Sequence, residues 1–142
     1  MTAYAIPTIS GEGQSVKGQP VRVLSTTVDF SETTNAAADT FDCLNIVAGS
    51  VVLGAGVEVQ TVDSAGNSGT LALAVDGVAN VAAAAPTSLG QMTNAAPGLD
   101  VVGTSDATAR LTVATGAINA VVRVWVVVAD PGDYNTQTAV FS

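Results

Sequence analysis

Two short stretches of the 142-residue sequence place oxygen-bearing side chains close enough to suggest cation binding. The first is DSAGNSG, residues 63–69, with Asp63 and Asn67. It lacks the alternating oxygen ligands and the closing Glu of a calcium loop. Its Gly, Ser and Asn residues instead suit a hairpin loop between two strand patterns. The second is DPGDYN, residues 130–135, where Asp130 and Asp133 would hold Ca²⁺ only weakly and Pro-Gly reads as a turn. The GEG and GAG triplets do not open a helix after a strand and fail as phosphate loops. Twelve Asp and Glu are present, and no two of them stand out as an acid/base pair. A glycosidase built on two of them needs an aromatic-lined cleft for sugar, and one Trp, two Tyr and three Phe leave little for one.

The remaining groups narrow the chemistry further. No histidine is present, which removes the usual general base, the commonest metal ligand and every His-dependent triad. Cys43 is the only cysteine, so an intrachain disulfide and a Cys-based metal site are excluded. In TFDCLNIV it reads as a small core hydrophobe rather than a nucleophile. Four Lys and Arg stand against twelve Asp and Glu, a net charge of −8. Lys17, Arg22, Arg110 and Arg123 are too scattered for the basic patch that a phosphate backbone requires. We therefore expect no enzyme, no cofactor, no metal and no direct nucleic-acid binding. The acidity serves solubility and resistance to nonspecific association.

What remains is binding, and its best candidates are Arg123 and Trp125 in AVVRVWVVVAD, residues 120–130. In a strand, Val122, Val124, Val126 and Val128 share one face, and Val121, Arg123, Trp125 and Val127 share the other. A plain sandwich strand is apolar on one face only. The all-Val face belongs in the core. The second face needs a cover: an N-terminal arm, the stretch 78–97, or another subunit. Trp and Arg are the residues most enriched at interface centres, and an Arg stem laid over an indole is a good amphipathic pair. Two readings stand side by side: the pair lines an interface, or Arg123 reaches solvent beside a Trp125 covered by its own chain.

Stepping outward along the chain, residues 1–20 read as an extended arm, with Pro7, Gly11, Gly13, Gly18 and Pro20 in a polar setting. Tyr4, Ile6 and Ile9 are its expected anchors. The start MTAYAIPTISGEGQ has neither the basic nor the apolar region of a signal peptide, and it is too short and interrupted to span a bilayer as a helix. The chain is accordingly expected to be soluble and made inside the cell.

Residues 21–142 are expected to form one domain, which suits the length. PVRVLSTTVDF and TFDCLNIVAG read as strands. SVVLGAGVEVQTVD reads as a short strand, a Gly54–Gly56 break and a second strand. TLALAVDG follows as a strand, with Leu71, Leu73 and Val75 on one side. The stretch from Val78 to Pro97 is expected to be an irregular excursion with one helical turn, because of its Ala run. Two strands lie in residues 99–116, then the Val-rich strand, then a last strand at 137–141. Eight or nine short strands between turn signals indicate an all-β, antiparallel β-sandwich of jelly-roll type, or a barrel. Charged residues are only 11%, against roughly 25% in an average soluble domain. Such a surface suits cover by other subunits.

Two segments, FDCLNIVAGSVVLGAGVEVQTVDSAGNSGTLAL and TSDATARLTVATGAINAVVRVWVVVADPGDY, resemble small structural proteins in the virions of tailed bacteriophages, especially those of marine hosts. The resemblance spans about residues 20–133. It implies a capsid decoration or cement protein, made in the host cytoplasm and placed on the outside of the head. Its implied partners are the major capsid protein and its own copies, with a trimer favoured because decoration proteins commonly sit at threefold or quasi-threefold lattice points. The implied pattern is structural, so no catalytic, cofactor or metal residue carries over. The alternatives are a head-fibre or tail component, and a glycan-binding β-sandwich adhesion module. The last would show exposed aromatics in a groove.

Overall fold

Along β-strands at the centre of the fold, buried Val, Leu and Ala side chains alternate with outward-facing residues. The computed structural model describes residues 21–32, 34–63, 68–95 and 97–130. Tyr4, Ile6, Ile9 and the rest of the arm, and the last strand expected at 137–141, lie outside them. The strands are β1 (Val21–Asp29), β2 (Thr40–Ile46), β3 (Val51–Thr61), β4 (Thr70–Val75), β5 (Val78–Ala84), β6 (Gly90–Gln91), β7 (Asp100–Val101), β8 (Ala107–Ala114) and β9 (Val121–Ala129).

One sheet runs β1-β9-β3-β6, with β7 also pairing with β3; the other runs β2-β8-β4-β5. Every pairing is antiparallel. With β7 as an addition, this is the doubled Greek-key path of a jelly roll. The expected antiparallel β-sandwich of jelly-roll type is thus the architecture observed.

Leu71, Leu73 and Val75 of β4, Ala107, Ala109, Leu111 and Val113 of β8, and Val122, Val124, Val126 and Val128 of β9 point inward and are buried. The period of two follows from strand geometry. Burying these side chains on facing sheets is the main source of stability. Phe30 closes one end, packed edge-to-face on Phe41 with ring centroids 5.1 Å apart. The connection after β1 is pinned there by Asn35, whose side-chain amide donates to Ile118 O at 2.8 Å while its Oδ1 accepts from Ile118 N at 2.8 Å. That pair satisfies a backbone unit which burial would otherwise leave unpaired.

Three sequence expectations are corrected. Gly54 and Gly56 do not break the chain: β3 is one strand of 11 residues, irregular where Val52 and Gly54, and again where Val59 and Thr61, face successive residues of β9. β3 and β4 are not hairpin partners, because they belong to opposite sheets. Finally, the Ala run is extended rather than helical. β4 and β5 form a true hairpin about Asp76 and Gly77, both at positive φ (55° and 77°), the mirror-image turn that suits strand twist. Val81 is buried from β5 while Ala82, Ala83 and Ala84 stay exposed. Tertiary pairing therefore overrides helix propensity here. Among the described residues no helix is long and apolar enough to cross a membrane.

Candidate functional site

The outer face of the β1-β9-β3-β6 sheet collects the side chains that do not build the core. Register places them in rows across the strands. Thr27, Arg123, Glu58 and Gln91 form one row; Ser25, Trp125 and Gly56 the next; Val23, Val127 and Gly54 the third; Val21, Ala129, Val51 and Val101 the last.

In the first row Arg123 donates from Nε (3.1 Å) and Nη2 (2.8 Å) to Oε1 of Glu58. Both side chains are partly open to solvent, so the pair contributes orientation more than stability. In the second row a Cβ on Gly56 would lie 2.5 Å from Cζ2, 2.7 Å from Cε2 and 3.0 Å from Nε1 of Trp125. Three ring atoms at nearly equal distance mean that the indole lies face-down on this glycine. Only a residue without a side chain allows that approach. The indole N–H donates to Oε1 of Gln91 at 2.9 Å, which fixes the ring in its plane. Val23, Ser25, Glu58, Gln91, Arg123 and Trp125 line a shallow open depression of about 260 Å³ around the half-buried ring.

The structure thus brings Arg123 and Trp125 together on one face, with one side of the indole covered by its own chain. Sequence reasoning missed Glu58, Gln91 and Gly56. The detectable signal was GAG: two glycines at i and i+2 inside a strand pattern share a face and mark a close approach. The lower rows are apolar and, among the described residues, partly open to solvent. Val21 is 52%, Val23 62%, Val101 65% and Leu53 40% exposed. At the same end of the sheet, but on its other face by strand alternation, Arg22 pairs with Asp130 through Nε–Oδ1 at 3.0 Å.

Elsewhere the ionisable groups serve the fold. Asp63, the oxygen ligand weighed for a cation loop, accepts the backbone N–H of Asn119 at 2.9 Å; Asn67 lies outside the described residues. Arg110 grips Asp42 across the other sheet with two bonds (2.6 and 3.2 Å), which holds the Asp42 carboxyl below its ordinary range. Asp106 is held low by the N–H of Ala48 and then by Asn45. Cys43 is partly buried against the core, and burial pushes its thiol up, the opposite of what a nucleophile needs. Asp100 is also pushed up, first by burial and then by Asp76 beside it. Among the described residues no three His, Cys, Asp or Glu side chains converge as metal ligands do.

No protein-family model and no curated protein matches this sequence. Solved structures do match. A chain in the capsid asymmetric unit of cyanophage Pam1 is similar with a TM-score of 0.63 and 27% identity, over 81% of this chain and 88% of that one. A chain in the capsid of Ralstonia phage GP4 gives 0.56 and 15%, over 80% and 86%. One in the acidic stable capsid of Helicobacter pylori bacteriophage KHP30 gives 0.51 and 11%, over 81% and 91%. The latter two show a shared fold; the first shares sequence as well.

Proposed function

We propose that this chain is a structural protein of a bacteriophage virion, and within it a decoration protein that binds the outside of the head and stabilises contacts between capsomers. The observation that carries the reading is the likeness to the Pam1 capsid chain, at 27% identity across 81% of this sequence. Its partners are then the major capsid protein and its own copies, a trimer in the first instance. The fold supports this in physical terms. β1 is an end strand of its sheet and carries the exposed Val21 and Val23, while the exposed Leu53 lies on β3 and Val101 on β7, which pairs with β3. Among the described residues β1 pairs on one side only, and an open edge next to an exposed apolar patch suits contact with a neighbour. Tyr4, Ile6 and Ile9 precede this corner in sequence, and are proposed as further anchors on a neighbouring subunit or on the shell.

The test is the particle itself. Virions carrying this chain should be purified, the ratio of the chain to the major shell protein measured by quantitative mass spectrometry, and the chain located in the density by electron cryo-microscopy. The expected result is a copy number set by icosahedral symmetry and density outside the shell. Location only in a tail or a fibre, or loss of the chain on purification, would overturn the reading.

A further inference from the structure

We propose that the depression over Trp125 binds one neutral sugar ring of a cell-surface polysaccharide. A pyranose has an apolar face of C–H bonds and a rim of hydroxyls. The C–H face is electropositive and fits the negative face of an aromatic ring. Trp125 offers such a face. Its inner side rests on Gly56 and its N–H is tied to Gln91, so its outer side is the one left for a ligand. The ring is already fixed, so little side-chain freedom is lost on binding.

The rim matches the hydroxyls. Each sugar hydroxyl donates and accepts at once, so a site needs both kinds of partner in reach. Arg123 donates both of its bonds to Oε1 of Glu58, so among the described residues Oε2 is left to accept. Gln91 uses its oxygen on Trp125, leaving its amide N–H groups to donate, and the Ser25 hydroxyl lies on the same wall. Arg123 and Glu58 cancel in charge, which favours a neutral sugar over an anionic one. A nucleobase could stack on the same ring, but the net charge of −8 repels its phosphates. The volume of about 260 Å³ lies just under the roughly 300–1,000 Å³ of pockets that enclose drug-sized ligands, so one ring fits rather than a chain.

A single shallow site of this kind binds weakly. Repetition over a capsid surface would raise avidity by about 10²–10⁴. This use of the site rests on the capsid reading; the site itself does not, and its test uses the free full-length protein.

Trp125 is the only Trp in the chain beside two Tyr, so fluorescence excited at the red edge of the absorption band, where Tyr does not absorb, reports on this site alone. Glucose, galactose, mannose, rhamnose and N-acetylglucosamine are titrated in turn, and the labelled protein is applied to an array of bacterial-surface oligosaccharides. The expected result is a saturable change in emission with at least one sugar and array signals sharing that residue. Gln91→Ala and Glu58→Gln should each weaken binding about tenfold, while both keep the circular dichroism of the folded parent and Gln91→Ala loses no more stability than its one bond to Trp125 supplies. No saturable response together with a blank array overturns the proposal, as does binding that survives both substitutions. So does acrylamide quenching of Trp125 that falls as protein concentration rises, because a second copy then occupies the face. Copy number and location in the virion are measured separately, so either reading can fail while the other stands.

Discussion

Adding one methyl group at residue 56 tests the arrangement of the outer face directly. Gly56 does not adopt a positive φ, so the backbone itself accepts Ala. In a strand interior, replacing Gly by Ala is worth about 0.5–1 kcal/mol in reduced unfolded-state entropy. Against that, the new Cβ would sit 2.5 Å from Cζ2 of Trp125, closer than real Cβ contacts. The indole must lift, which costs about 1–3 kcal/mol for overpacking. Its bond to Gln91 goes with it, for about 0.5–1.5 kcal/mol. The two costs less the gain give a net destabilisation of about 0.5–4 kcal/mol for Gly56→Ala. In a Trp125→Ala background the clash is gone and the same change should stabilise, by about 0.5 kcal/mol. Gly54→Ala is the internal control, because its Cβ would lie an ordinary 4.0 Å from Cζ3 and should be tolerated in both backgrounds. Urea unfolding followed by circular dichroism, which does not depend on the Trp, measures all five variants and the parent. Equal destabilisation by Gly56→Ala with and without Trp125 would refute the face-down placement of the ring.

Val126 is fully buried on the inner face of β9, so Val126→Asp places an unpaired charge in the core and should abolish the folded circular dichroism spectrum. Asn35→Ala removes both side-chain bonds to Ile118 and should cost about 1–3 kcal/mol in urea unfolding, the penalty for leaving a buried backbone unit unpaired. Asp100, pushed up by burial and then by Asp76, binds its proton more readily folded than unfolded. Its penalty is full well above the raised value and fades as pH falls through it. Asp100→Asn should therefore raise the melting temperature at neutral pH, with a margin that shrinks on acidification. Asp106, held low by the Ala48 N–H, works in the opposite sense. Its contribution is present above the ordinary carboxylate value and is lost as pH falls through the lowered one, so Asp106→Asn should destabilise near neutrality and matter less in acid.

The two faces of β9 show where sequence reasoning reaches and where it stops. Alternation alone assigned Val122, Val124, Val126 and Val128 to the core and put Arg123 and Trp125 together on the opposite face, because side-chain direction in a strand is a local property. What lies beneath Trp125 is not local. It depends on β9 lying between β1 and β3, and that order brings Arg123 to Glu58 across 65 positions and Trp125 to Gln91 across 34. The same non-local pairing corrected the other expectations. A Gly pair that punctuates an isolated strand became the seat of an indole. An Ala run with helix propensity became an edge strand because β4 offered it a ladder. The Gly, Ser and Asn residues after β3 suit a hairpin by type, yet β3 and β4 belong to opposite sheets, since turn chemistry says that the chain reverses but not which sheet it joins. The outer face was therefore legible as a pair of binding residues but not as a shaped surface. Its shape arises only when the Gly pair of β3 and the polar residue of β6 meet the Trp strand, and each of those three segments alone reads as ordinary β-structure.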